Sequence, residues 1–204
     1  MNAGRAPRQV VVATSNPGKL REIRAILGEL PLELVGLEAV PGARLPAEGE
    51  DYAANAAAKA RAVAATAGRP AVADDSGLEV EGLDGAPGPL SARFGGPGLD
   101  DAGRVAHLLD RMRGLEGEAR RARFVCVAAL ATPGGDVVTA RGECRGRIRD
   151  RATGAGGFGY DPVFEPEGEG RCMAELPAAE KNRISHRFRA FRALGGALER
   201  LLEG

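Results

Sequence analysis

Residues 9–37, QVVVATSNPGKLREIRAILGELPLELVGL, decide the fold. Gln9 to Thr14 is a short β-branched run, which predicts a strand. After SNPGK, Leu20, Ile23, Leu27 and Leu30 recur at helical spacing, and Leu32–Leu37 returns to strand character. A Pro/Gly-punctuated loop then runs through Gly49, and an alanine-rich helix extends from about Asp51 to Thr66, ended by Gly68. The opening is therefore β-α-β-α.

Working outward, Ala71–Asp74 predicts a short buried strand that runs into DDSG. The following LEVEGLDGAPGPLSARFGGPG holds too many turn residues for a helix and predicts loops or a small hairpin. Asp100–Met112 is predicted helical, with Val105, Leu108, Leu109 and Met112 on its inner face. Arg121–Thr132 and Val137–Ile148 are apolar-rich runs joined by PGGD, the signal of a long hairpin. The tail from Ser185 to Leu202 predicts one helix, with Phe188, Phe191, Leu194, Leu198 and Leu201 on one side. Alternating strands and helices around a long hairpin predict an α/β fold, a mixed β-sheet flanked by helices. No repeat, linker or low-complexity stretch divides the chain, so residues 1–204 are expected to form a single domain, with residues 1–8 a flexible N-terminus.

Composition narrows the function classes. Twenty-eight basic residues balance 28 acidic ones, so no overall field draws the chain to nucleic acid or to an anionic membrane. No signal peptide or membrane span is legible, and a soluble, cytoplasmic protein is the expectation. Cys126, Cys144 and Cys172 are odd in number and widely spaced, which predicts reduced packing thiols rather than disulfides or a zinc site. Lysine is scarce: Lys19, Lys59 and Lys181 are the only three, so arginine is the default cation. A compact ammonium differs from a planar guanidinium, and these three positions are candidates for places where the fork does not fit.

Four segments carry candidate chemistry. Thr14, Ser15, Asn16, Pro17, Gly18 and Lys19 lie between a strand and a helix start, where unpaired amides and a lysine suit a phosphate. The Walker A spacing is absent, and an ordinary cap with a Pro-Gly turn is the structural alternative. Asp74-Asp75-Ser76-Gly77 follows an apolar strand, where open α/β sheets bind ligands. Successive strand residues face opposite ways, so one carboxylate, Asp75 by choice, is expected in a cleft with its neighbour in support. A carboxylate there can hold Mg²⁺ or orient a water, while an Asp-Ser turn is the alternative.

The run Gly154 to Gly159 matches GxGxxG but lacks the strand before it and the helix after it. It reads instead as a loop that presents Phe158, Tyr160 and Asp161 to a base, or as a glycine-rich turn with a packed aromatic. Finally, Lys181, His186 and Arg187 lie near one helix start, with Ser185 as its N-cap. They suit a purine carbonyl or a phosphate, or simply a solvated helix end.

SNPGK, ADDSGLEV…GAPGPLSARFGG, GGFGYDPVF and EKNRISHR occur in one order. Together they resemble the Ham1-type inosine/xanthosine triphosphate pyrophosphatases, from about Val10 to the final helix. The resemblance implies an elongated two-lobed fold with a central nucleotide cleft, a homodimer, and hydrolysis of ITP, dITP or XTP to the monophosphate and pyrophosphate with Mg²⁺. It implies that Thr14 to Lys19 cradle the triphosphate, that Asp75 is general base and metal-associated carboxylate, and that Ser76 touches substrate. Phe158, Gly159, Tyr160 and Asp161 would contact the nucleoside, with Phe158 stacking, and Lys181, His186 and Arg187 would complete the base pocket. One departure stands out: Ala47 occupies the place of the family's loop glutamate and Glu48 is shifted by one, so either Glu48 takes over as metal ligand or Mg²⁺ relies more on Asp75 and water. Ala54 likewise stands where glutamate is common before Asn55.

Three rival readings compete. A P-loop kinase or ATPase lacks its motif here, and a nucleic-acid-binding module built on Arg183, Arg187, Arg189 and Arg192 is weakened by zero net charge and 4% aromatics. A non-catalytic purine nucleotide sensor would keep the same pocket.

Overall fold

A computed structural model describes residues 8–203. The elements are β1 (Arg8–Val12), α1 (Pro17–Leu27), β2 (Leu32–Val35), α2 (Tyr52–Ala67), β3 (Ala71–Val80), β4 (Pro87–Gly88), α3 (Asp101–Arg111), β5 (Arg121–Ala131), β6 (Val137–Ile148), β7 (Phe164–Pro166), α4 (Ala178–Ile184), α5 (His186–Ala193) and α6 (Gly195–Glu203). The sheet runs β2-β1-β3-β5-β6-β7, with β4 paired to β3. The pairs β1·β2 and β1·β3 are parallel, as their helical connections require, and the other pairs are antiparallel. The expected mixed sheet with flanking helices is what forms.

Strand β1 reads VVV without alternation because both its faces are buried. Val11 and Ala13 pack with Ala56, Ala60 and Val63 of α2 and with Val125 and Val127 of β5. Val10 and Val12 face Ile23, Leu27, Phe191, Leu194 and Leu198 on the opposite layer. A further core lies under α3, where Val105, Leu108 and Met112 meet Leu78, Phe124 and Phe164. The alanines of α2 let that helix lie close to the sheet, and Asp51 caps it by accepting from Ala54 N at 2.7 Å. The hairpin of β5 and β6 pairs from Arg121↔Arg147 to Ala131↔Val137, as the PGGD signal predicts.

Three expectations need correction. Strand β3 does not stop at Asp74; it continues to Val80, because β5 pairs with it from Ala71↔Ala131 to Val80↔Ala122. A full antiparallel partner along one edge holds DDSG extended and overrides its turn propensity. The tail is not one helix: α5 ends at Ala193 and α6 starts at Gly195, where paired glycines, the poorest helix formers after proline, interrupt it. Lys181 belongs to the separate helix α4. The flexible N-terminus falls largely on residues 1–7, outside the described residues, but Arg8 belongs to β1 and its guanidinium donates to the Leu201 carbonyl.

Along the edge of β3 that faces β1, parallel pairing ends at Val12↔Val72, and β4 takes over only at Leu78↔Gly88. Residues 73–77 lie in this gap. Gly77 belongs there for a steric reason: a Cβ would sit 2.0 Å from the Gly88 carbonyl oxygen and 2.7 Å from the Tyr52 hydroxyl. Past the gap, Ser91 takes the backbone bond a strand would otherwise make, its Oγ accepting from Leu78 N at 2.8 Å and donating to Gly88 O at 2.6 Å.

Candidate active site

The gap beside β3 opens onto a cleft of about 300 Å³, with Asp75, Ser76 and Gly77 in its lining. Thr14, Ser15, Asn16, Lys19, Glu48, Asp75, Ser76, Phe158, Gly159, Tyr160, Asp161, Lys181, His186 and Arg187 all line it. The four segments read from the sequence therefore meet in one place. Pro17 and Gly18 do not line the cavity. Gly18 supports it from behind, since a Cβ there would lie 2.6 Å from the Phe158 ring.

At the entrance to α1, Asn16 is the N-cap, its Oδ1 accepting from Lys19 N at 3.0 Å, and Pro17 opens the helix. Thr14 Oγ1 accepts from Asn16 N at 3.2 Å. The capping reading of this segment is realised: Asn16 holds Lys19 N through its side chain and Leu20 N through its carbonyl at 3.0 Å, and Pro17 has no N–H.

Alternation along β3 separates the two aspartates. Asp74 meets Lys19 Nζ at 3.2 Å and Arg187 at 3.0 Å. Asp75 turns the other way, to α2, where Lys59 Nζ approaches its Oδ1 at 3.0 Å and Asn55 Nδ2 its Oδ2 at 2.9 Å. The two carboxyls also titrate differently. Burial raises the pKa of Asp74, but Lys19, Arg187 and Lys59 outweigh it and hold the carboxyl far below the usual range. For Asp75 burial wins over Lys59 and Asn55, and its pKa is raised.

Lys59 also holds Glu48 Oε1 at 2.6 Å, so the shifted glutamate reaches the same ammonium as Asp75. Asn55 secures that loop by accepting from Gly49 N at 2.8 Å and donating to Gly49 O at 3.0 Å.

At the opposite end, Lys181 bridges Asp161 and Glu22, the latter at 2.7 Å. Arg187, 1% exposed, binds Asp74, Glu22 and, at 2.9 Å, Ser76 Oγ. Lys181 has three donors and two acidic partners, which leaves one N–H for the cavity. Its Nζ lies 4.9 Å from the centre of the Phe158 ring. His186 stacks on Phe124, with ring centres 4.7 Å apart, and its Nδ1 is buried without a partner among the described residues. Burial, then Arg187, pushes the His186 pKa well below the ordinary value, so the ring is a neutral imidazole. Tyr160 is a wall rather than a free polar group, since its hydroxyl donates to Ser91 O at 2.9 Å. Asp161 fixes the glycine loop by accepting from Phe158 N at 2.8 Å.

The three lysines of the chain all line this cleft, an outcome their scarcity hinted at. Glu22, Asn55 and the pairing of Lys59 with Asp75 and Glu48 escape sequence reasoning. Glu22 follows a charged helical pattern that reads as solvated, yet it is buried beneath Lys181 and Arg187.

The sequence profile of the Ham1 family matches residues 10–196. The dITP/XTP pyrophosphatase of Streptomyces coelicolor is 48% identical over 197 residues, covering 95% of this chain and 98% of that one. The dITP/XTP pyrophosphatase of Deinococcus deserti is 52% identical over 191 residues, covering 93% and 89%. The solved Ham1 protein of Coxiella burnetii superposes with a TM-score of 0.82 at 35% identity, covering 95% of this chain and 99% of its own. That of Staphylococcus aureus gives 0.81 at 34% identity, covering 94% and 98%. With matches of this extent running through every segment that builds the cleft, the chain belongs to the Ham1 family.

Proposed function

We propose that this chain hydrolyses the non-standard purine nucleoside triphosphates ITP, dITP and XTP to the monophosphate and pyrophosphate. The observation that carries this reading is the meeting, in one cleft, of a helix start with two lysines at one end and an aromatic ring with a lysine and a neutral histidine at the other. The first end suits a polyphosphate and the second a purine.

Asp75 acts as general base. Its raised pKa makes it a better proton acceptor than an ordinary carboxylate, and Lys59 and Asn55 fix its orientation. It takes a proton from water as the water oxygen bonds to the α-phosphorus and the bond from that phosphorus to the bridging oxygen breaks. Pyrophosphate leaves. Lys19, at the start of α1, balances charge on the departing group.

Mg²⁺ fits the residues present. Four cations (Lys19, Lys59, Lys181 and Arg187) interlock with five carboxylates (Glu22, Glu48, Asp74, Asp75 and Asp161), so these groups have no surplus positive charge to offer a triphosphate. Asp75 and Glu48, converging on Lys59, are the hard oxygen donors that would hold it. When bound, Mg²⁺ supplies charge neutralisation on the polyphosphate. Among the described residues no three His, Cys, Asp or Glu side chains cluster as a complete metal cage, and an ion held by two carboxylates, phosphate and water needs none.

Phe158 provides the stacking face for the base. The remaining Lys181 proton meets the 6-keto oxygen of hypoxanthine or xanthine, while the amino group of adenine would leave that donor unmatched. The family resemblance also supports a homodimeric, cytoplasmic enzyme acting on free nucleotides.

Incubation with ITP, XTP, GTP and ATP, with Mg²⁺ or EDTA, tests the reaction. IMP and pyrophosphate from ITP, lost in EDTA and weak with ATP, are expected. IDP with orthophosphate, or binding without turnover, would replace this reading with a different phosphatase or a nucleotide sensor. Sedimentation velocity checks the dimer.

A further inference from the structure

Helix α3 brings a cation to the cleft that no part of the proposed mechanism uses. Arg104 lines the cavity beside Pro89, Ala92 and Tyr160. Its Nε is closed off from solvent and has no hydrogen-bond partner among the described residues. One of its terminal nitrogens reaches only the exposed Asp101, at 3.3 Å. Buried guanidinium nitrogens are ordinarily paired, as those of Arg187 and Arg120 are in this chain. Arg104 thus lines a ligand cavity with a guanidinium whose donors are largely without acceptors among the described residues.

Its place identifies that acceptor. Asp101, one turn before Arg104 on α3, accepts from Gly159 N at 2.7 Å, which fastens this helix to the loop that carries Phe158. Arg104 therefore stands at the base end of the cleft, with the polyphosphate groups Lys19, Lys59 and Asp75 at the other. Lys181 and His186 come from α4 and α5, on a different wall. A purine stacked on Phe158 with its 6-keto group toward Lys181 has its pyrimidine edge still to be read.

Resting on the function proposed above, we propose that Arg104 is a specificity-determining residue that reads the 2-position of the purine. A guanidinium donates hydrogen bonds and accepts none. It complements the 2-oxo group of xanthine, gains nothing from the C2–H of hypoxanthine, and opposes the 2-amino group of guanine with donor against donor. The role predicts acceptance of XTP and rejection of GTP, which share the 6-keto group and differ at this atom.

The test compares the parent enzyme with Arg104→Met, which keeps an unbranched apolar stem without the donors, and Arg104→Lys, which restores a donor. kcat/KM is measured for XTP, ITP and GTP, and calorimetry gives the affinities for XMP, IMP and GMP. In Arg104→Met, XTP should lose about 10- to 100-fold in kcat/KM, the scale of a charge-assisted hydrogen bond, mostly through KM. ITP should change less than about threefold, discrimination against GTP should relax, and Arg104→Lys should recover part of the preference for XTP. A parallel fall for all three nucleotides, or no change in their ratios, overturns the proposal. The monophosphate affinities separate it from the catalytic reading: a parent enzyme without turnover whose preference for XMP over GMP depends on Arg104 would sink the hydrolysis and keep this role. Equal XMP and GMP binding by parent and variant would sink the role alone.

Discussion

Asn55 Nδ2 donates to Asp75 Oδ2 at 2.9 Å, and the same amide group makes both backbone hydrogen bonds to Gly49. One side chain on α2 thus ties the loop that carries Glu48 to the strand that carries Asp75. In Asn55→Ala the Gly49 amide and one oxygen of the buried Asp75 lose their partners. We expect a stability loss of about 1–3 kcal/mol by urea denaturation, and a fall in kcat that exceeds any rise in KM. Unchanged kcat would mean that the clamp serves folding only.

Asp75→Asn keeps the shape and the contact with Lys59 while removing the base. Turnover of ITP should fall by roughly 10²–10⁴-fold. Calorimetric binding of ITP should persist. Near-normal turnover would remove Asp75 from the mechanism.

Glu22 separates two buried cations, Lys181 and Arg187. Burial opposes its charge, but Arg187 and Lys181 prevail and lower its pKa, which marks it as ionised in the folded protein. Glu22→Ala leaves both cations short of a partner and should cost about 3–5 kcal/mol, read from the shift in urea midpoint. A shift below about 1 kcal/mol would show that water or Asp74 compensates.

Gly18→Ala tests the support behind the stacking ring. The new methyl would stand 2.6 Å from Phe158 Cδ1, so the ring must move. Displacement of a substrate-contacting group should raise KM for ITP by about tenfold, with far-ultraviolet circular dichroism unchanged. An unaltered KM would show that Phe158 does not set substrate affinity.

His186 supplies a pH dependence of stability. Its folded pKa is depressed, so between the ordinary value near 6.5 and that lower value the unfolded chain binds a proton that the folded chain does not. Stability therefore falls as the pH drops below about 6.5, by up to roughly 1.4 kcal/mol per unit. The depressed Asp74 and Glu22 lose their contributions only at pH values below the ordinary carboxylate range, while the raised Asp75 and Asp161 act with the opposite sign. The comparison is accordingly between His186→Gln and its parent: from pH 7 to 5.5 the variant should lose less stability in denaturant titrations. Identical slopes would show that the ring is not buried neutral.

The sequence by itself determined the order and type of the main elements, since β1, α1, α2 and the β5–β6 hairpin each carry their own periodicity and stop signals. It also marked the segments that line the cleft, because a cap, a carboxylate pair and a glycine loop are local patterns. It even flagged Lys59, through the rarity of its type, without saying what it holds. Only the tertiary structure decided that DDSG lies inside a strand, because β5, some fifty residues away in sequence, supplies the partner that overrides its turn propensity. The same holds for the ion-pair network. Arg187 meets Asp74 across 113 positions and Lys181 meets Glu22 across 159, and a periodic pattern that tells which face a side chain takes is silent about what faces it. Glu22 reads as solvent-facing until α4 and α5 close over it, and Arg104 reads as one more surface arginine until the fold places it in the lining of the cleft with its Nε buried. Periodicity is a property of one element, whereas charge pairing and an unmet donor are properties of the surfaces that several elements bring together.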